Sequence, residues 1–253
     1  MAIFHEEDLA ISEIAFVTEA GVARGLGIEA VLPLRVVRTR IRFEDMEHQP
    51  IVVPNGSIHH RNETLSVPGD PWLLVHGARG VGGWTVAARA GVSIPVGRTE
   101  PNPFALGRLG LPHQHIQFGT GTWDPVVGLA AGHRFGQVGF VVHTLARLVF
   151  GTNDHGYRAG DRLFASAAFD RRIAGTWRGI VGMDLAREHT ETWDGRIETE
   201  GNLGRTDLLA SIGLTRPLGS NGGVHITAKI PLLTRATGAQ VRYPVIVAVG
   251  LSY

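Results

Sequence analysis

The chain has no cysteine, no excess of charge of one sign and no long apolar run. The absence of cysteine excludes disulfide frameworks and thiolate metal sites. The 24 basic and 23 acidic residues leave a net charge of +1, so no nucleic-acid partner is expected. No stretch of about 18 apolar residues occurs, so the sequence predicts no transmembrane helix.

The amino terminus, residues 1–8, is acidic and lacks the basic-then-apolar order of a secretory signal. Taken alone, it favours a cytoplasmic protein. What the chain does have is glycine, 34 residues among 253. Glycine at this level is typical of tight turns and closely approaching strands. The length suits one large β domain or two small ones, and we expect a single domain over residues 1–253.

The last ten residues, 244–253, alternate strictly between two faces and end on an aromatic residue. One face carries Val245, Val247, Val249, Leu251 and Tyr253. This segment resembles the terminal strand by which bacterial outer-membrane β-barrels are recognised for assembly. It implies a barrel assembly machinery as a partner, through the strand ending at Tyr253. The last strand of a soluble sheet would have the same pattern.

Period-two alternation recurs along the chain and predicts eleven strands. They are 9–22, 26–43, 71–79, 83–96, 123–135, 138–150, 161–171, 175–187, 205–216, 223–233 and 244–253. Short turns alternate with long polar links, and the long links are 44–70, 97–122, 151–160, 188–204 and 234–243. This alternation is typical of a transmembrane barrel with short periplasmic turns and long outer loops.

The two faces of each strand differ in polarity. In 84–96 one face is apolar from Trp84 to Val96, and the opposite face carries Arg89. The sequence therefore predicts an all-β, antiparallel, up-and-down transmembrane barrel of about 11–12 strands in outer-membrane lipid. A soluble sandwich remains possible, as does a soluble lipocalin-like barrel, whose interior would be apolar and whose exterior would be polar.

Charged residues in mid-strand are expected to face the lumen and line a pore. The candidates are Glu29, Arg35, Arg89, Arg134, Arg147, Arg178, Asp184 and Lys229. Because these residues include both acidic and basic side chains, they are expected either to form salt-bridge ladders that plug a narrow barrel or to line a water-filled path. A slight excess of arginine favours anionic solutes, and the alternative is that the inner charges only hold the strands in register.

Residues 117–125 read Gln-Phe-Gly-Thr-Gly-Thr-Trp-Asp-Pro and precede a glycine-rich alternating strand, 126–135. Together they resemble the outer-membrane transporter family of the phenol meta-degradation pathway type, specifically over about residues 84–135. The resemblance implies a closed antiparallel barrel in the bacterial outer membrane and uptake of small compounds, including aromatic ones. The absent signal sequence departs from the family pattern.

Strand parity accounts for that departure. With eleven strands the first and last, 9–22 and 244–253, run in the same direction, whereas bacterial barrels normally close with an antiparallel pair. We therefore expect the chain to lack a signal peptide and one ascending first strand. The alternative is an overlooked strand within 97–122.

The long links carry clusters of histidine. His59, His60 and Glu63 lie in one link, and His113 and His115 lie in another. These five residues are candidates for an outer-loop binding site, and His113 and His115 are candidate ligands of a divalent metal. The alternative is that these histidines hydrogen-bond between loops.

No Gly-x-Ser-x-Gly elbow or phosphate-binding loop occurs, so neither an enzyme nor a cofactor is expected. The sequence favours an outer-membrane passive channel or transporter for small solutes, with aromatic or anionic compounds as the candidates. A non-conducting outer-membrane barrel that binds a ligand or divalent metal with its long loops is the alternative. A soluble lipocalin-like binding barrel is the second alternative.

Overall fold

A computed structural model describes residues 4–52, 62–219, 222–238 and 242–252. Its elements, in chain order, are β1 (Phe4–Ala23), β2 (Leu26–Glu44), β3 (Glu63–Pro68), β4 (Trp72–Val81), β5 (Trp84–Ser93), α1 (Pro103–Arg108), β6 (Asp124–Phe135), β7 (Val138–Arg147), β8 (Tyr157–Arg158), β9 (Arg162–Ala174), β10 (Trp177–Glu188), β11 (Thr192–Trp193), β12 (Asn202–Leu218), β13 (Gly222–Gly238) and β14 (Ile246–Ser252).

Eleven of these strands form one antiparallel sheet in the order β1-β2-β4-β5-β6-β7-β9-β10-β12-β13-β14. Each strand pairs with its neighbours along this path, as an up-and-down barrel requires. The turns after β1 and β6 are tight because Gly25 (φ 76°) and Gly136 (φ 60°) adopt left-handed backbone conformations that other residues rarely reach. The predicted all-β fold, its eleven strands and the alternation of short and long links are confirmed.

The long links hold structure that the sequence did not predict. The link 44–70 contains β3, which pairs with β2 beside β4. The link 97–122 contains α1, whose first turn is capped by Asn102. Residues 234–238 belong to β13 and not to a loop. An overlooked strand within 97–122 was the wrong alternative, because that link forms a helix and irregular backbone.

The polarity of the sheet is inverted relative to a soluble protein. In β2, Leu26, Ile28, Leu32 and Leu34 are exposed, whereas Glu29 between them is buried. We call the face that carries Glu29, Arg89, Arg147, Asp184 and Lys229 the inner face, and the opposite one the outer face. The expected lipocalin-like alternative is wrong, since it requires an apolar interior and a polar exterior.

The sheet curls so that its two ends approach one cavity. Ile11 and Glu13 of β1 and Ile246 of β14 all line it. β1 and β14 run in the same direction, and within the described ranges no ladder joins them. Tyr253 lies outside the described residues, so a role for that residue in assembly stays a prediction.

Among the described residues, no helix is long and apolar enough to cross a membrane. A small apolar core lies in the long links, at the end of the sheet opposite the tight turns. It consists of Phe104, Val149, Tyr157, Ala159 and Trp193, and we call it the loop core. Its residues come from three links that are distant in sequence, so the links form one packed assembly.

Candidate functional site

The eight predicted pore-lining residues all take part in ion pairs. The pairs are Arg35–Glu13 at 2.7 Å, Arg89–Glu29 at 3.3 Å, Arg134–Asp170 at 3.8 Å, Arg147–Asp124 at 3.9 Å, Lys229–Asp184 at 3.2 Å, and Arg178 with Asp170. Strand alternation places these side chains on one face, and register brings opposite charges together. Their role as pore lining stays a prediction.

The Lys229–Asp184 pair connects strands that are not direct neighbours. Asp184 lies on β10 and Lys229 on β13, with β12 between them. The Lys229 ammonium also lies 5.1 Å from the centre of the Phe164 ring, within range of a cation–π contact. The Phe164 ring in turn lies 5.4 Å from the imidazole of His143. A charged and aromatic cluster therefore extends across β7, β9, β10 and β13.

Glycines on the inner face make room for these long side chains. A Cβ at Gly128 would come within 2.9 Å of the Arg89 side chain and of Leu145. A Cβ at Gly139 would overlap the Asp170 carboxylate. Because cross-strand neighbours stand close together on one face, a charged residue opposite a glycine can lie flat over the sheet.

The inner face encloses a cavity of about 650 Å³ toward the long links. Its aromatic and basic lining includes Trp72, Phe118, Phe164, Arg35 and Arg147. Residues 116–118 also line it, although they belong to the long link between β5 and β6. This link therefore folds into the space bounded by the sheet, and we call 116–118 the inserted segment.

Asp70 anchors the inserted segment. Its carboxylate accepts hydrogen bonds from the backbone N–H of Gly97 at 2.8 Å and of Thr120 at 2.7 Å, and from the Thr120 hydroxyl at 3.2 Å. Asp70 and Thr120 are both buried. Gly119 packs directly against the Asp70 carboxylate, where a Cβ would be 2.6 Å from Oδ1. One carboxylate therefore joins the links on either side of β4 and β5.

The family-like motif 117–125 forms this anchored turn. Gly121 has φ 71° and lies against Asn153, whose side-chain amide donates to the Thr120 carbonyl at 3.1 Å. The Thr122 hydroxyl donates to Asp124 Oδ1 at 2.7 Å, at the start of β6. The motif is thus a structural element that positions residues 116–118 against the inner face.

The predicted loop histidines lie in different environments. His113 is buried, and its Nδ1 lies 2.8 Å from the Leu111 carbonyl oxygen. The His115 ring contacts both the His113 ring (5.1 Å) and the Phe104 ring (5.2 Å) edge-on. The Glu63 carboxylate accepts a hydrogen bond from the Gln114 amide.

His59 and His60 lie outside the described residues. Within the described ranges, no three histidine, aspartate or glutamate side chains converge as a metal site would require. Metal binding at His113 and His115 therefore stays a prediction.

A half-buried carboxyl group, that of Glu191, lies beside the loop core. Glu191 accepts hydrogen bonds from the Trp193 indole N–H at 3.1 Å and the Asn202 backbone N–H at 3.3 Å, and it faces the Tyr157 hydroxyl at 3.5 Å. Burial raises the pKa of Glu191, and burial next to Glu191 raises the pKa of Tyr157. The ionised carboxylate is therefore a source of instability in the loop core.

We expect Glu191→Gln to remove a pH dependence of stability. A carboxyl group with a raised pKa binds protons more tightly when folded, so stability falls as pH rises from the ordinary glutamate pKa through the raised one. The neutral amide keeps an oxygen acceptor for Trp193, and the variant should gain stability relative to the wild type across that interval. Urea unfolding at a series of pH values measures the difference. Glu198→Gln is the matched control, because Glu198 lies in the same link and pairs with Arg108 at 3.4 Å; an equal gain there would contradict the prediction.

Sequence reasoning missed Asp70, the inserted segment and the loop core. Two signals were present: Asn102-Pro103 is a helix-start pattern, and Gly119 and Gly121 flank Thr120 in the quoted motif. Neither signal indicates which distant link supplies the partner. The contacts of Asp70 with residues 97 and 120 became apparent only from the fold.

Comparison with known proteins extends the description of the fold. No family model matches the chain, and no curated protein does. A solved structure does match: the COG4313 outer membrane channel from Pseudomonas putida F1, with a TM-score of 0.61 and 10% sequence identity, over 96% of this chain and 82% of that one. This match does not support the resemblance to transporters of the phenol meta-degradation pathway type, which motif 117–125 suggested. At this identity the likeness establishes the fold, an antiparallel β-barrel architecture like that of the outer membrane channel.

Proposed function

We propose that the chain is a bacterial outer-membrane β-barrel that acts as a passive channel for small solutes. The single observation that carries the proposal is the inverted polarity of the sheet around an inner cavity. Apolar side chains cover the outer face, whereas charged pairs and glycines occupy the inner face. The structural neighbour is itself an outer membrane channel, which is consistent with this function.

Strand length and aromatic placement support a membrane location. The strands β4 to β7 have 10, 10, 12 and 10 residues, close to the 9–11 that a tilted strand needs to cross a bilayer. Near the tight turns, Trp84 contacts Phe135 and Phe140 on the outer face, at 6.4 and 6.2 Å. Trp123 and Phe150 are exposed at the opposite ends of the strands. Two aromatic girdles at the two interfaces are typical of transmembrane barrels.

The lining of the inner cavity favours small solutes that combine an aromatic ring with an anionic group. Aromatic rings of Trp72, Phe118 and Phe164 offer stacking surfaces, and Arg35 and Arg147 offer guanidinium groups for a carboxylate. A volume of about 650 Å³ lies within the range of small-ligand sites. The inner-face charges are largely paired, so they favour selective passage over a wide open pore.

The experiment that tests the proposal is conductance of the refolded protein in planar bilayers. We expect discrete single-channel currents and a reversal potential, under a salt gradient, that indicates preference for anions. Competition by benzoate tests the aromatic-anion preference, and cyclohexylammonium serves as the cationic control. Absence of current at any voltage would contradict a channel. It would favour the alternative of a non-conducting barrel, which the packed loop core also supports.

Phe118→Ala should widen the path. Phe118 is 3% exposed and lies in the inserted segment, so its loss should raise single-channel conductance and cost about 3 kcal/mol of stability. Trp123→Ala is the matched control, because Trp123 belongs to the same link but is 64% exposed. It should leave conductance unchanged and alter stability by about 0.5 kcal/mol or less. Equal conductance of the two variants would argue against a path past Phe118.

A further inference from the structure

A groove at the loop end of the sheet, at the rim between the two faces, is rich in arginine. It is lined by Arg158, Asp161, Arg187, Glu188, Thr206 and Arg235, among others, and has a volume of about 480 Å³. We call it the rim groove. Arg187 of β10 lies opposite Thr206 of β12, which in turn lies opposite Arg235 of β13. Because directly opposed residues share a face, these two arginines form one row across three strands.

The acidic residues of the rim groove already have partners. Glu188 pairs with Arg162 at 2.8 Å. Asp161 accepts a hydrogen bond from the Val149 backbone N–H at 2.7 Å and lies 3.6 Å from His189. These contacts leave the acidic groups little capacity to neutralise further cations.

The arginines of the rim groove retain their positive charge. Among the described residues, the acceptor of Arg158 is a neutral group, the Val149 carbonyl oxygen, at 3.1 and 3.3 Å. Within the described part of the chain, no carboxylate pairs with Arg187 or Arg235, and both side chains are exposed. The groove is therefore a site of net positive charge.

Apolar surface begins directly beside the row of arginines. Leu163 is paired in register with Arg187, and it is 41% exposed on the outer face. Leu233 lies two residues before Arg235 on the same strand and is also exposed. A cationic groove that borders an exposed apolar band matches an amphiphile with an anionic head and acyl chains. A free anion would use only the first of these surfaces.

We propose that the rim groove binds the phosphate groups of an anionic lipid whose acyl chains lie on the outer face next to Leu163 and Leu233. The guanidinium groups of Arg187 and Arg235 donate charge-assisted hydrogen bonds to phosphate oxygens, and Arg158 adds a third positive charge. The inference rests on the proposed membrane location of the barrel. It adds a lipid site at the loop end of the sheet, which shares Arg187 and Glu188 with the lining of the inner cavity.

The test is native mass spectrometry of the full chain, refolded in a neutral detergent and titrated with purified diphosphoryl lipid A. Arg187→Gln/Arg235→Gln should weaken binding by about 30-fold, because each arginine near an anionic lipid surface contributes roughly 1 kcal/mol. The matched control is Arg79→Gln/Arg171→Gln, which removes two exposed outer-face arginines near the tight turns. That variant should bind as the wild type does. Dimyristoyl phosphatidylcholine, whose phosphate charge is balanced by the choline ammonium group, should bind all forms weakly.

Separate outcomes identify what fails. Equal lipid A binding by the two double variants would contradict a lipid site in the rim groove. It would leave the proposed membrane barrel unaffected. If millimolar inorganic phosphate displaces lipid A, and the acyl chains add nothing to the affinity, the groove is a site for free anions. That result would overturn the proposal that it binds a lipid. A protein that stays soluble without detergent would instead contradict the membrane location. Channel currents should be the same for wild type and Arg79→Gln/Arg171→Gln. Because Arg187 also lines the inner cavity, the effect of Arg187→Gln/Arg235→Gln is judged by lipid binding alone.

Discussion

Replacing Asp70 with alanine is expected to release the inserted segment and raise channel conductance. The carboxylate accepts hydrogen bonds from two backbone N–H groups, those of Gly97 and Thr120. Without it, these buried donors lose their acceptor, at a cost of about 1–3 kcal/mol each. We expect a loss of about 2–6 kcal/mol in urea unfolding. In planar bilayers we expect larger and noisier single-channel currents, because residues 116–118 line the inner cavity.

Asp45→Ala is the matched control for Asp70→Ala. Asp45 Oδ1 also accepts two backbone N–H bonds in a long link, from Glu47 and Gln49 at 2.9 Å, but it lies in an exposed turn. Water can replace the lost acceptor there, so the cost should stay below about 1 kcal/mol and conductance should not change. If Asp70→Ala does not refold, Asp70→Asn retains one acceptor and should show intermediate behaviour. Wild-type conductance in a folded Asp70 variant would show that the segment does not obstruct the path.

The strands of this fold are largely predictable because their signal is local. Alternation over ten or more residues determines which side chains share a face, and Arg89 and Asp184 could be assigned to the charged face from their neighbours in sequence alone. Partners depend on register and on the curl of the sheet, which no local pattern encodes. Thus Asp184 pairs with Lys229 across an intervening strand, whereas Arg147 lies near Asp124 on the adjacent one.

The long links are less predictable because their structure depends on contacts between distant segments. The six residues of α1 are too few to form a stable helix by propensity alone. The helix is held by the Asn102 cap, whose amide also donates to Asp194 at 2.7 Å, and by packing of Phe104 on Trp193. Similarly, β3 forms because β2 extends past β4 and offers unpaired backbone groups to Glu63–Pro68. The polar composition of these links predicted loops. Tertiary contacts instead build ordered structure there.

A double-mutant cycle on Asp184 and Lys229 should reveal a strongly coupled pair inside the sheet. Asp184 is 3% exposed, and Lys229 Nζ lies 3.2 Å from its Oδ1, whereas its Oδ2 has no hydrogen-bond partner among the described residues. Lys229→Met leaves that carboxylate without its cation, and removing one partner of a buried pair costs about 3–5 kcal/mol. Asp184→Asn should cost less, because the Lys229 side chain is 23% exposed and can reach water.

The double variant distinguishes a narrow, partly dry lumen from a wide, water-filled one. If the pair is desolvated, Asp184→Asn/Lys229→Met should cost no more than Lys229→Met alone, giving a coupling energy of about 2 kcal/mol or more in urea unfolding. The control cycle uses Asp8 and Arg42, a pair at 3.4 Å with both side chains about two-thirds exposed, for which the coupling should be about 0–1 kcal/mol. Equal coupling in the two cycles would mean that water screens the inner pair as fully as it screens the exposed one. The inner-face charges would then line an open aqueous path, and single-channel conductance should be correspondingly high.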